Sequence, residues 1–224
     1  MTVILVRHGR STANTSGVLA GRTPGVALDD KGRAQSLDLI GRLGDVASRL
    51  QAVVRSPLQR CGETVAPLVD QLDGVPEVID DRLAEVDYGQ WSGRKLTDLV
   101  NEPLWKTVQR NPSHAVFPDG EGLADVSRRA TAAVRALDRE YSGADGHGVW
   151  LACSHGDVIK SVVADALGMH LDAFQRIVVD PASITVIGYP HDRPYVLTVN
   201  NGGSLTLPAP RVHADAEVGG GAGA

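Results

Sequence analysis

Two short apolar runs of this chain end alike. Val3-Ile4-Leu5-Val6 leads into Arg7-His8-Gly9, and Trp150-Leu151-Ala152-Cys153 leads into Ser154-His155-Gly156. Apolar runs of this length closed by polar residues, the first of them rich in β-branched side chains, read as buried strands. In a parallel sheet, the residues just beyond the carboxyl end of a strand are those presented to a ligand. Two imidazoles delivered in this way can share one site although they lie far apart in the chain.

The rest of the pattern fixes the fold class. A Gly-, Thr- and Ser-rich loop follows from Arg10 to Leu28, and Asp29 and Asp30 then suit a helix start. Ala34, Leu37, Ile40, Leu43 and Ala47 recur at helical spacing, and Ala52-Val53-Val54 reads as a second strand. Ser56-Pro57 opens a second helix, with Leu58, Cys61, Val65, Leu68, Val69 and Leu72 on one face. Val75 to Ile79 reads as a short strand. Residues 80–121 are irregular and carry Tyr88, Trp91, Trp105 and Phe117 among Gly and Pro, with helical pieces at Lys95–Val100 and Leu104–Arg110. An insertion of this kind suits a lid or a pocket wall. A long helix runs from Leu123 to Tyr141, and after the Trp150 strand come helices over Asp157–Leu167 and Leu171–Val178. Ser183–Gly188 and Tyr195–Val199 read as strands joined by a turn at Pro190-His191-Asp192. The alternation predicts an α/β fold, a three-layer α/β/α sandwich around a mostly parallel sheet of about six strands. One domain is expected over 1–206, and the Ala-, Pro- and Gly-rich stretch 207–224 is expected to be disordered.

Charge and composition exclude several functions. With 224 residues the chain can bury a full α/β core. A formal net charge of −5 argues against a nucleic-acid partner, which calls for a concentrated basic face. A small anionic substrate remains compatible, because a local arginine cluster outweighs the net charge within a Debye length. No apolar stretch approaches the roughly 20 residues that span a bilayer, and no signal peptide opens the chain, so a cytoplasmic protein without a membrane partner is expected. The two cysteines, Cys61 and Cys153, read as small buried hydrophobes. His114, His147, His170, His191 and His213 fall in loops, turns or the tail without metal-ligand spacing, so no metal site is expected. The sequence is compatible with a monomer or a homodimer.

The strand ends carry the chemistry. His8 sits beside Arg7, whose planar fork matches phosphate oxygens, and a neutral imidazole is a competent nucleophile toward phosphorus. Asn14, in the following loop, offers an amide donor. Ser56-Pro57-Leu58-Gln59-Arg60 places a second arginine in the first turn of a helix, where free N–H groups and the helix dipole favour anions. His155 and Gly156 repeat the strand-to-helix junction. Arg7, His8, Arg60 and His155 thus form a donor set for a tetrahedral oxyanion, and Glu85, beyond the third strand, can supply a proton to a leaving group. Arg10 and Arg22 are candidates for a second anionic group of the substrate, against the reading of each as a solvated surface arginine.

With these residues in place, the chain resembles the histidine phosphatase superfamily, also called the phosphoglycerate mutase-like family. The resemblance rests on Arg7-His8-Gly9 with Asn14; on Leu28, Gly32 and Gln35; and on Ser56, Leu58, Arg60 and Thr64. It continues with Leu83, Glu85, Gly89, Trp91 and Gly93 and closes with Ser154-His155-Gly156, in the family's order over roughly 1–206. It implies that His8 becomes phosphorylated, and that Arg7, Arg60 and a protonated His155 hold the phosphoryl oxygens with Asn14. It further implies that Glu85 serves as acid and then base, that no metal is needed, and that the substrate is a small phosphorylated metabolite. Two departures stand out. Gly120-Glu121-Gly122 replaces the Gly-Glu-Ser of many relatives. The segment from Glu85 to Gly93 lacks the Arg-His-Tyr-Gly of the cofactor-dependent mutases and so resembles the phosphatase branch. A phosphomutase, which would need a bisphosphate primer, and a non-catalytic phosphate-binding module are the alternative readings.

Overall fold

The computed structural model describes residues 1–143, 146–190 and 193–207. Val3 to Val6 lie within strand β1 (Thr2–Arg7), which is followed by a short helix α1 (Thr12–Ser16) and by α2 (Asp30–Leu43). The order continues with β2 (Leu50–Arg55), α3 (Gln59–Val69), β3 (Glu77–Ile79), α4 (Leu96–Leu99), α5 (Pro103–Arg110) and α6 (Leu123–Glu140). It closes with β4 (Val149–Ser154), α7 (Gly156–Ala166), β5 (Ile184–Gly188) and β6 (Tyr195–Asn201).

The six strands form one sheet in the order β3-β2-β4-β1-β5-β6. β1, β2, β3 and β4 run parallel, while β5 is antiparallel to both β1 and β6. The expected mostly parallel sheet is therefore present, and its antiparallel member is the strand of the closing hairpin. Because side chains alternate along a strand, β1 feeds two cores. Val3 and Leu5 join Trp150 and Ala152 with α6 and α7 on one face, whereas Ile4 and Val6 join Leu151 and Cys153 with α2 and α3 on the other. Helices thus cover both faces of a sheet whose central strands are apolar throughout, which accounts for the unbroken apolar runs of the sequence.

Several boundaries differ from the expectation for local reasons. The first loop contains α1, whose N-cap Ser11 makes a reciprocal capping box with Asn14. α2 starts where Asp29 accepts from Gly32 N at 2.8 Å. The segment at 171–178 is a 3-10 helix, Leu171–Arg176. The 80–121 segment contributes to the core: Tyr88, Trp91, Leu99, Val108 and Phe117 are buried, and Trp91 stacks on Trp105 at 6.2 Å. Leu207, placed in the expected disordered tail, packs on the second core. The rest of that tail, 208–224 with His213, lies outside the described residues, as do His191 and Asp192 of the expected turn. Among the described residues no helix is long and apolar enough to cross a membrane.

Candidate active site

The two His-Gly ends meet because β1 and β4 are parallel neighbours, with Arg7 opposite Ser154. The His8 N–H donates to Ser154 O at 3.0 Å, and the two imidazole rings lie 5.2 Å apart, centroid to centroid. The third contributor is Arg60, the second residue of α3, which lies with His8 and His155 in a wholly buried cluster. Gly9 is required for packing more than for ligand approach. A Cβ there would stand 2.8 Å from Gly32 O, so the glycine lets α2 close on the end of β1.

Arg60 links the two histidines. Its Nε donates to His8 Nε2 at 3.2 Å and its Nη2 to His155 Nδ1 at 3.1 Å, while Nη2 also donates to Gly21 O at 2.9 Å. An arginine only donates, so both ring nitrogens facing it carry lone pairs. The tautomers follow. His8 Nδ1–H donates to Gly9 O at 2.7 Å, and His155 Nε2–H donates to Ser56 Oγ at 2.7 Å, with Cys61 Sγ beneath at 3.6 Å. Burial first, then the Arg60 and Arg7 charges, hold His8 well below the usual histidine range, so it is neutral with Nε2 as its nucleophilic atom. His155 is displaced in the same direction by burial, then Arg60, His8 and Arg7. In the ligand-free site, burial and the neighbouring guanidinium groups thus favour the neutral ring, whose site-facing nitrogen accepts from Arg60.

Arg7 anchors through Nη1, which donates to Val179 O at 2.6 Å. Its buried Nε has no hydrogen-bond partner. A buried unpaired guanidinium donor is costly, and an anionic oxygen would satisfy it. Asn14 keeps its carbonyl oxygen on Ser11, accepting from N at 3.0 Å and Oγ at 2.9 Å, and lines the same cleft as Arg7, His8, Arg60, Glu85 and Gly156.

Glu85 completes the set. Its Oε1 accepts from Val86 N at 2.9 Å, and Oε2 lies 3.9 Å from His155 Nδ1. Burial, then the neighbouring Asp157 charge, pushes its carboxyl up to about 7. A carboxyl near neutrality can both give and take a proton at working pH.

Arg10 and Arg22 are placed elsewhere. Arg10 Nε pairs with Asp29 Oδ2 at 2.6 Å. Arg22 donates through Nε to Glu85 O at 2.8 Å and through Nη2 to Glu121 Oε2 at 2.9 Å. Neither lines the cleft, and each guanidinium is paired within the protein. Arg129 and Glu121 were the residues not foreseen. Arg129 donates to both Glu121 oxygens and to Glu85 O, and Glu121 Oε2 also accepts from Asp87 N at 2.9 Å. The signal for Glu121 lay in Gly120-Glu121-Gly122, whereas Arg129 has only a helical position and no motif. The missing serine of that motif falls at Gly122, the N-cap of α6, which has no side-chain cap.

This bracing network yields a first expected result. Glu121→Ala leaves Arg22 and Arg129 without their carboxylate and should cost about 1–3 kcal/mol of stability. Thermal melting checks this.

Comparison with known proteins comes to the same point. The profile of the histidine phosphatase superfamily (branch 1) matches residues 3–202. A bifunctional protein of Mycobacterium tuberculosis is 31% identical over 189 residues, covering 82% of this chain and 49% of its own length. The chain thus spans about half the length of the first curated relatives it matches. An acid phosphatase of Mycobacterium tuberculosis is 31% identical over 194 residues, covering 84% of this chain and 87% of its own. Among solved structures, an α-ribazole phosphatase from Shigella flexneri superposes with a TM-score of 0.80 at 24% identity, covering 93% of this chain and all of the other, which supports the fold.

Proposed function

The chain belongs to the histidine phosphatase superfamily, and from that premise we propose that it hydrolyses a small phosphate monoester through a phosphohistidine on His8. The observation that carries the reading is the His8 tautomer. Nδ1–H is committed to Gly9 O, so the lone pair of Nε2 is directed at the cationic end of the cleft. The donor on that lone pair, Arg60 Nε, exchanges it for a phosphoryl oxygen when substrate enters.

Two displacements follow. In the first, His8 Nε2 forms a bond to phosphorus, the ester P–O bond breaks, and Glu85 gives its proton to the leaving oxygen. The phosphorylated imidazole is positive, and its Nδ1–H bond to Gly9 O, at 2.7 Å, stabilises it. In the second, Glu85 takes a proton from water, the water oxygen bonds to phosphorus, and Nε2 leaves with its electron pair. Arg7, Arg60 and Asn14 hold the equatorial oxygens through both steps. His155 joins them by taking up a proton with the substrate, because a phosphoryl dianion opposes the charges that keep the ring neutral. With two guanidinium groups on the phosphoryl oxygens, the reaction needs no metal ion and no cofactor.

The test is phosphate release from p-nitrophenyl phosphate and from an alkyl phosphate, with and without EDTA. Release unaffected by the chelator is expected. A mutase is distinguished by giving a bisphosphate primer with a phosphoglycerate: isomerisation outrunning phosphate release would replace this reading. Phosphate-ester binding without turnover of either ester would point to a non-catalytic module.

A further inference from the structure

Beyond its phosphoryl end the cleft, about 450 Å³ in volume, is lined by apolar side chains on two sides, alongside Tyr88, Asp157, Lys160 and Gln175. Val18, Leu19 and Leu96 form one wall: Leu96 N donates to Gly17 O, and Val18 bridges to Lys95, so the three side chains sit on adjoining backbone. Ile177 and Val178 line the cleft from the segment whose Val179 O accepts from Arg7. Val178 and Leu96 are large apolar side chains left 59% and 39% exposed. Apolar surface at the mouth of a polar site is a place for an apolar part of a ligand.

The charges of this outer compartment cancel. Among the described lining residues the cations are Arg7, Arg60 and Lys160. The first two belong to the phosphoryl end. Lys160 Nζ donates to Asp157 Oδ1 at 3.3 Å and to Gln175 Oε1 at 3.1 Å. Asp157 also accepts from Tyr88 OH at 2.9 Å, which holds the carboxylate in the cleft wall. A carboxylate on the leaving group would therefore meet the Asp157 carboxylate, with Lys160 already paired to Asp157 and Gln175. Losing water without gaining a partner is the expensive case for a charge.

We propose that the ester's leaving group is an uncharged, largely apolar alcohol seated between Val18, Leu19 and Leu96 and Ile177 and Val178, and that carboxylated phosphate esters are poor substrates. This rests on the phosphatase reading and names the substrate class for the same site. It makes Val178 and Leu96 specificity-determining.

The test compares kcat/KM for 2-naphthyl, phenyl and 4-carboxyphenyl phosphate, with base-stable phosphoryl labelling of the protein as a parallel readout. The carboxyl substituent makes the phenol a better leaving group, so slower turnover of that ester reports the compartment rather than the chemistry. The expected order is naphthyl, then phenyl, then carboxyphenyl, with roughly 100-fold between the extremes. In Val178→Lys, an exposed position that tolerates the change, that ratio should shrink about tenfold through a gain on the carboxylated ester. Equal or inverted rates among the three esters with labelling intact, or a ratio unmoved by Val178→Lys, overturns the proposal while leaving the phosphatase reading standing. Absence of both labelling and hydrolysis overturns the phosphatase reading and this proposal with it.

Discussion

His8→Ala is expected to lower turnover by about 10⁴-fold or more and to abolish phosphoryl labelling of the protein. In the proposed mechanism this removes the covalent path altogether, and the guanidinium groups left behind would only polarise the ester. His155→Ala is expected to act differently. The ring donates to Ser56 and accepts from Arg60, so its loss removes one support of the phosphoryl oxygens and leaves Nε2 of His8 in place. A loss of about 10²- to 10³-fold is the usual size for one such group. Labelling should become slow and remain base-stable, and phosphate should bind more weakly. Substrate binding to the unaltered protein should also take up a proton near neutral pH, measurable as a buffer-dependent heat, and His155→Ala should lose that uptake. Labelling that persists at full rate in His8→Ala would move the nucleophile elsewhere. Equal losses in the two variants would mean that the neutral ring of His155 shares the covalent role.

This asymmetry between like motifs was only half legible in the sequence. The apolar runs specify β1 and β4, and the residues after them must emerge at one sheet edge because parallel neighbours end together. That much follows from local composition. The preference of His155 for its neutral form does not, because it depends on burial in the folded chain and then on Arg60 lying 3.1 Å away, a contact across 95 positions of chain. The same limit applies to Arg10 and Arg22. A surface loop next to a phosphate site invites an anionic ligand for each arginine, and only the folded chain shows Asp29 and Glu121 already paired to them. Arg129 illustrates the converse. On a helix it is one polar position among several, yet it closes the brace on the Glu85 carbonyl. Local pattern thus determines which groups are delivered to the sheet edge, while long-range pairing determines which of them remain free to react.

Glu85 carries the second large effect, with consequences of opposite sign for activity and stability. Glu85→Gln keeps the shape but cannot give or take a proton, so turnover of an alkyl phosphate should fall about 10²- to 10⁴-fold. For p-nitrophenyl phosphate, the labelling step should fall far less, and the phosphorylated protein should accumulate because its hydrolysis still needs the base. In the unaltered protein, a carboxyl pushed up to about 7 is protonated below that pH, so kcat/KM for alkyl phosphates should decline as pH rises through 7. The step that needs the carboxylate, hydrolysis of the phosphohistidine, should decline as pH falls through the same range. Stability follows the opposite logic. The folded carboxyl holds its proton more tightly than the unfolded one, whose value is the usual 4.5, so folding carries no penalty below 4.5. The penalty grows from 4.5 to about 7 and is constant above, where it reaches on the order of 3 kcal/mol. The amide matches the protonated carboxyl at every pH and escapes it. Glu85→Gln should therefore melt at the same temperature as the unaltered protein at pH 4 and several degrees higher at pH 8, while being the slower enzyme at both. A melting difference that does not grow between these pH values would show that Glu85 is an ordinary ionised carboxylate, and the general acid would then have to be sought at Asp157, its neighbour in the cleft wall.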